Sequence, residues 1–151
     1  MSPISTADDY APSPAQWVRD QVEAYEGSGG RLANTLRETG LAIIIVTTKG
    51  NKSGKVRKTP LMRVEHDGEY ALVASMGGAP KNPVWYYNLT ADPDSVAIQD
   101  GPTPFDVSVR EISGDERDLW WERAVAAFAP YADYQLKTQR QIPVFVASRR
   151  S

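Results

Sequence analysis

The sequence predicts an α+β domain that is mainly antiparallel: a small closed or split β-barrel of about six strands with helices packed outside. Three observations predict it. Short runs rich in β-branched residues, such as AIIIVTT from Ala42 and FDVSVREI from Phe105, recur from residue 41 onward. Brief turn signals, Asp67-Gly68 and the DGPTP stretch from Asp100, separate several of them, so neighbouring strands are joined as hairpins rather than through long crossovers. Helical patterns are few and lie outside these runs. At 151 residues the chain has the length of one domain and enough material for one core without cross-links, and it contains no internal repeat.

Taken in order, residues 1–12 are small, polar and proline-containing, and are expected to be a flexible segment preceding a single domain over 13–151. A helix is predicted over about 14–27, with Ser13 as N-cap, Pro14 in the first turn and Gly27 as the stop. Trp17, Val18, Val22 and Tyr25 share one of its faces. The opposite face is mixed in sign, which favours a lid on the core over a membrane anchor. AIIIVTT has no polar alternation and reads as a strand buried on both faces. VRKTPLMRVEH and EYALVAS flank Asp67-Gly68 as a hairpin, and Pro60 puts its strand at an edge or bulge.

SVAIQ and FDVSVREI form the next pair, with Phe105, Val107 and Val109 alternating against Asp106, Ser108 and Arg110. Ser113 and Glu116 have capping-box spacing at the start of a helix running to about Phe128, and Trp120, Ala124, Ala127 and Phe128 form its apolar stripe. YADYQLKTQR reads as a short helix and IPVFVAS as the closing strand.

The bulk composition excludes several chemistries. There is no cysteine, hence no disulfide framework, thiolate metal site or thiol nucleophile. The single histidine, His66, rules out a histidine-cluster metal centre, and its position before Asp67-Gly68 makes it a solvent-facing turn residue. No metal site is expected. The longest apolar run, LAIIIV, is too short to span a bilayer, and the first ten residues lack the features of a secretory signal.

Three segments can carry chemistry. In TTKGNKSGKVRKTP, Lys49, Lys52, Lys55, Arg57 and Lys58 crowd onto a loop with Gly50, Gly54 and the Ser53 hydroxyl, in a chain of net charge −2. This is an anion cradle in outline, or a solvated hairpin loop; its spacing is not that of a Walker P-loop. In VASMGGAPKNPVWYYNL a strand enters Gly77-Gly78 and then a helix for which Asn82 is the expected cap and Pro83 the first-turn residue. Trp85 and Tyr86 add flat surfaces there, which suits a ring with a phosphorylated tail, or an ordinary strand-to-helix connection. In FAPYADYQLKTQRQIPVF, Tyr131 and Tyr134 stand three apart and face the same way on a helix, as pocket phenols or as structural tyrosines.

In sequence order these three segments resemble the deazaflavin-dependent nitroreductase family of actinobacteria, also described as F420H2-dependent quinone reductases. The resemblance runs from about residue 41 to about residue 145. It implies a split barrel related to the FMN-binding pyridoxamine oxidases, and coenzyme F420, a deazaflavin with a phosphate and an oligoglutamate tail, as cofactor. By this resemblance Lys52, Ser53, Gly54, Arg57 and Lys58 receive the tail, and Thr59, Pro60 and Met62 run along the ring. Ser75, Met76, Gly77, Gly78, Pro83, Trp85, Tyr86 and Asn88 form the other side of the groove. Ser75, Tyr131 and Tyr134 match positions implicated in catalysis.

The implied reaction is hydride transfer to an electron-poor acceptor such as a quinone or nitroaromatic. Asn51, Met76 and Phe128 depart from residues common in the family, a basic residue, a lysine and a tyrosine respectively. The alternatives are an FMN-dependent oxidoreductase on the same barrel, a cofactor carrier without turnover, and a small nucleic-acid-binding barrel. The net negative charge counts against nucleic acid as a partner. The expected location is cytoplasmic, with room for peripheral contact at the inner face of the membrane. A monomer is preferred over a homodimer, because the N-terminal helix can cover barrel surface that related enzymes use for dimerisation.

Overall fold

Strand β1 (Ile43–Lys49) is buried along nearly its whole length because each of its faces meets a separate core. Ile43 and Ile45 enter one apolar cluster, Ile44 and Val46 the other, as the two-residue period of a strand requires. The computed structural model describes residues 10–36, 40–50 and 54–150. To β1 it adds β2 (Val56–Met62), β3 (Glu65–His66), β4 (Glu69–Val73), β5 (Val96–Gln99), β6 (Pro104–Glu111) and β7 (Val144–Arg149). Among the described residues these form one antiparallel sheet in the order β2-β1-β5-β6-β7-β4-β3.

The outermost strands of that order, β2 and β3, are separated in the chain by Arg63 and Val64 alone. The sheet must therefore curl until its two edges approach each other. Bonds from Arg63 N–H to the Ala42 carbonyl (3.0 Å) and from Ala71 N–H to the Val64 carbonyl (2.9 Å) hold this corner. The half-barrel is the expected architecture with seven strands rather than about six: VRKTPLMRVEH, expected as one strand, breaks at the corner into β2 and β3. Asp67 (φ 51°) and Gly68 (φ 82°) make the expected tight turn, and His66 before it is exposed. Pro60 faces Ile45 on β2, whose other edge carries no strand, so its missing N–H costs no ladder bond.

Helices α1 (Gln16–Gly27), α3 (Gly114–Ala127) and α4 (Pro130–Leu136) cover one face, while α2 (Val84–Ala91) serves the other. Val22 and Tyr25 of α1 join Trp120, Ala124, Phe128 and Tyr131 over Ile43, Ile45, Val73 and Val144. Trp85 and Leu89 of α2 pack with Leu72, Val107, Val109 and Phe145. Residues 10–12 lie beside β2: Tyr10 bridges Val56, the Ala11 N–H donates to the Val56 carbonyl (2.9 Å), and Arg57 Nη1 donates to the Ala11 carbonyl (3.2 Å).

Three expected helix caps form differently. Helix α1 starts at Gln16, and Ser13 Oγ accepts the Ala15 N–H (3.2 Å) ahead of the first turn. Ser113 occupies the N-cap of α3, but Glu116 is drawn out of the capping box by a two-pronged bond from Arg110 (2.7 and 2.6 Å). Pro83, not Asn82, holds the N-cap position of α2, and the Asn82 side-chain oxygen instead accepts from Arg140 Nη1 (2.8 Å). No helix among the described residues is long and apolar enough to cross a membrane.

Candidate functional site

Where β2 meets α1, α2 and α4, two cavities of about 600 and 380 Å³ open side by side, a combined size suited to a cofactor with a small co-substrate. Val18, Thr59 and Trp85 line both, so they are lobes of one cleft. Strand β2 runs along both lobes: Arg57, Lys58 and Thr59 line the small one, and Thr59, Pro60, Leu61 and Met62 the large one. Arg57, Thr59 and Leu61 are half-buried, while Lys58 is buried beneath the Tyr10 ring.

The large lobe is apolar with four hydroxyl-bearing exceptions. Pro60 and Met62 of β2, Pro83 and Trp85 at the start of α2, and Phe128 supply its walls. Thr59, Ser75, Tyr131 and Tyr134 are the exceptions, and the hydroxyls of the last three make no hydrogen bond among the described residues. Tyr131 is 5% exposed, its ring held by Phe128 (4.9 Å), Trp121 (6.2 Å) and Tyr134 (6.2 Å). Burial, and secondarily the neighbouring Tyr134, pushes its phenol far above the ordinary tyrosine range, so it remains a protonated donor at any pH the protein meets. Hydroxyls that line a cavity without a partner in the protein are free to meet an outside acceptor there.

The small lobe carries the charge. Arg57 and Lys58 line it together with Ser13, Thr59 and Asn88. Asn88 is buried and donates from Nδ2 to Thr48 Oγ1 (3.2 Å). Lys58 Nζ lies 2.5 Å from Glu26 Oε2 of α1 and 4.9 Å from the centre of the Tyr10 ring. Helix α1 thus does more than cover the core: Trp17 and Val18 wall the large lobe, and Glu26 neutralises a cation of the small one.

Between α4 and α2, Met76, Gly77 and Gly78 adopt positive φ in succession (47°, 66° and 83°), forming a single 3-10 turn after Ser75. Met76 and Gly77 line the large lobe. Gly78 does not; it is buried against α4, where a Cβ would stand 2.6 Å from the Tyr134 carbonyl oxygen.

Of the residues named from sequence, Thr59, Pro60, Met62, Ser75, Met76, Gly77, Pro83, Trp85, Tyr131 and Tyr134 meet in the large lobe, and Arg57, Lys58 and Asn88 in the small one. Gly54 sits in the β1–β2 loop at φ 71°, lining neither lobe. Tyr86 also lines neither; its hydroxyl donates to Glu111 (3.2 Å) and its ring packs on Phe145 (5.5 Å). Lys52, Ser53 and Asn51 lie outside the described residues. The contacts missed from sequence were the Glu26 partner of Lys58 and the role of Arg140, neither of which has a local signature.

A curled antiparallel half-barrel whose cleft joins an apolar chamber to a cationic one is a split barrel with a ligand-sized cleft. Residues 17–149 match the family model described as F420H(2)-dependent quinone reductase, and the chain belongs to that family. It is therefore an oxidoreductase that works with coenzyme F420. An F420H(2)-dependent quinone reductase of Mycobacterium tuberculosis is 36% identical over 138 residues, 89% of this chain and 91% of the relative.

Among solved structures, an F420-H2 dependent reductase, FDR-A, is 54% identical with a TM-score of 0.66, covering 70% of this chain and 93% of its own. The fold alone also matches a Clostridium acetobutylicum protein of the pyridoxinephosphate oxidase family (13% identity, TM-score 0.51, covering 71% of this chain and 74% of that one). A further chain, 48% identical with a TM-score of 0.70 and matched over 90% of this chain and all of its own, is a domain-swapped dimer. That does not fit the monomer preferred from sequence. In a domain-swapped dimer one identical element is exchanged between the two copies, so the same contacts can close within one chain or across two.

Proposed function

We propose that the cleft holds coenzyme F420 with its ring in the large lobe and its anionic tail toward Arg57 and Lys58, beside an electron-poor acceptor such as a quinone. The residues fit this group: an apolar chamber flanked by Trp85 and Pro60 suits a flat ring, and a second chamber with two cations suits a phosphate and carboxylates. When bound, the reduced deazaflavin supplies a hydride, and the acceptor gains two electrons with it and one further proton to become a hydroquinone.

The chain's own residues do the rest. Thr59, Pro60, Met62 and Trp85 position the ring, and Trp17, Val18 and Phe128 exclude water from the chamber. Ser75, Tyr131 and Tyr134 turn their hydroxyls to the acceptor oxygen on which negative charge develops. Tyr131, held neutral by burial, acts as a hydrogen-bond donor rather than as a base. The observation that carries this reading is the set of hydroxyls of Ser75, Tyr131 and Tyr134, unpartnered among the described residues, on a mainly apolar chamber that opens into a cationic one.

The test is a fluorescence titration with F420 followed by turnover of F420H2 with a soluble quinone. Binding and quinone-dependent oxidation are expected, and Tyr131→Phe combined with Tyr134→Phe is expected to lose turnover while keeping the cofactor. Unchanged turnover in the double variant would remove the phenols from the mechanism.

A further inference from the structure

Three residues in succession with positive φ, one of them the non-glycine Met76, form a strained turn, and such a turn persists only where its surroundings over-determine it. The surroundings here are supplied largely by one side chain. The Arg140 guanidinium donates from Nε to the Ala79 carbonyl (2.9 Å), from Nη1 to the Ala74 carbonyl (3.2 Å) and the Asn82 side-chain oxygen (2.8 Å), and from Nη2 to the Ser75 carbonyl (2.9 Å). Four of its five N–H groups are thus spent on residues 74–82, on either side of the turn. No carboxylate pairs with it among the described residues, so its charge is met by oriented carbonyl dipoles of the turn itself.

The main chain of Arg140 reaches the other half of the site. Its carbonyl accepts Gln135 Nε2 of α4 (2.8 Å), and Gln135 Oε1 in turn accepts the Ile142 N–H (2.9 Å). Helix α4 carries Tyr131 and Tyr134, and its Tyr134 carbonyl abuts Gly78. One residue therefore fastens the segment bearing Ser75 to the helix bearing both phenols.

We infer that Arg140 is a positioning residue for hydride transfer: it clamps the Ser75 turn to α4 and so sets the placement of the Ser75 hydroxyl relative to Tyr131 and Tyr134. This rests on the functional reading above. Arg140 does not line the cleft and touches neither partner, so it acts through the turn. A lysine keeps the charge but has no planar fork, so it cannot reproduce four divergent bonds.

The test uses the full chain with Arg140→Lys and Arg140→Ala. Without cofactor, amide hydrogen exchange is expected to speed up over residues 74–79 while β1 and β7 keep their protection. With F420H2 and a soluble quinone, kcat is expected to fall by about 10- to 100-fold, the cost of a misplacement of about an ångström. The F420 dissociation constant should change far less, since Arg57 and Lys58 are untouched. Guanidinium ion, added well below denaturing concentration, is expected to restore part of kcat in Arg140→Ala.

Unchanged exchange in the turn, an unchanged kcat, or a kcat loss that only follows the folded fraction would overturn the inference. Should Arg140→Ala fail to fold, Arg140→Lys decides by the same readings. If the wild type itself fails to turn over F420H2, the functional reading falls. The exchange experiment then still judges Arg140 as the clamp of the turn.

Discussion

Glu26 holds Lys58 at 2.5 Å across the seam between α1 and β2, and the lysine side chain is only 7% exposed against 33% for the glutamate. Under the proposed reading, an anionic tail entering the small lobe meets a lysine already partnered. Glu26→Gln leaves the hydrogen-bonding shape but removes the competing charge. It is expected to tighten F420 binding by roughly two- to fivefold, the worth of a partly exposed ion pair, with the gain shrinking at high salt. Folding stability is expected to fall by about 1–2 kcal/mol, because the lysine loses its partner. Calorimetric titration at two salt concentrations, with a denaturant melt, measures both. Weaker binding would mean that Glu26 serves mainly to hold the lysine in place.

Tyr131→Phe separates stability from activity. The residue is buried and its hydroxyl, at the cavity, has no partner among the described residues, so its removal is expected to leave stability equal or to raise it by up to about 1 kcal/mol. Under the same reading, kcat with a quinone falls by at least about tenfold. Thermal melts beside steady-state kinetics show whether the two move in opposite directions, as expected where function is kept at the expense of stability.

Alkaline pH supplies a second test. Burial, the hydrogen bond to Asp100 (2.6 Å) and the charge of that carboxylate push the Tyr70 phenol up to about 12. Tyr131 is raised by burial as well. A group whose folded pKa exceeds its unfolded value contributes stability that is complete below the unfolded pKa, near 10 for tyrosine, and is lost as pH rises through the folded one. The melting temperature is expected to be flat with respect to these groups up to about pH 9 and to decline from about pH 10 to 12. Tyr70→Phe should melt lower at neutral pH, having lost its bond to Asp100, and should decline less steeply above pH 10.

Gly77 and Gly78 are both left-handed but not equivalent. A Cβ at Gly77 meets nothing within 4 Å, whereas one at Gly78 meets the Tyr134 carbonyl oxygen at 2.6 Å. Gly77→Ala is expected to cost the backbone strain alone, about 1–2 kcal/mol. Gly78→Ala adds a collision with backbone and is expected to cost about 2–4 kcal/mol in total while moving α4 away from the Ser75 turn. Urea unfolding of both variants measures the difference.

Much of the barrel could be read from the chain because its signals are local. The Ile43, Ile44, Ile45, Val46 run has no polar alternation, and the strand it forms is buried on both faces. Asp67-Gly68 makes its turn, and Pro60 falls on the outer strand. Two of the caps failed for one common reason: Glu116 and Asn82 have the right spacing for helix starts, but arginines brought in by the fold, Arg110 and Arg140, take their oxygens from the backbone. The single strand expected from residues 56–66 broke because the corner at Arg63 and Val64 depends on sheet closure, which no local pattern encodes. The hydroxyls of the large lobe were legible through the resemblance of their segments, whereas the contacts of Glu26 with Lys58 and of Arg140 with residues 74–82 join distant parts of the chain.

Under the proposed reading, one cleft receives the ring in its apolar lobe and the anionic tail in its cationic lobe. Calorimetric titration of the wild type and Arg57→Ala, each with intact F420 and with a deazaflavin stripped of phosphate and glutamates, tests it most directly. The wild type is expected to bind both, the intact cofactor more tightly, and Arg57→Ala to weaken only the intact one. Absence of binding by intact F420 in either redox form, or equal weakening of both ligands by Arg57→Ala, would contradict it.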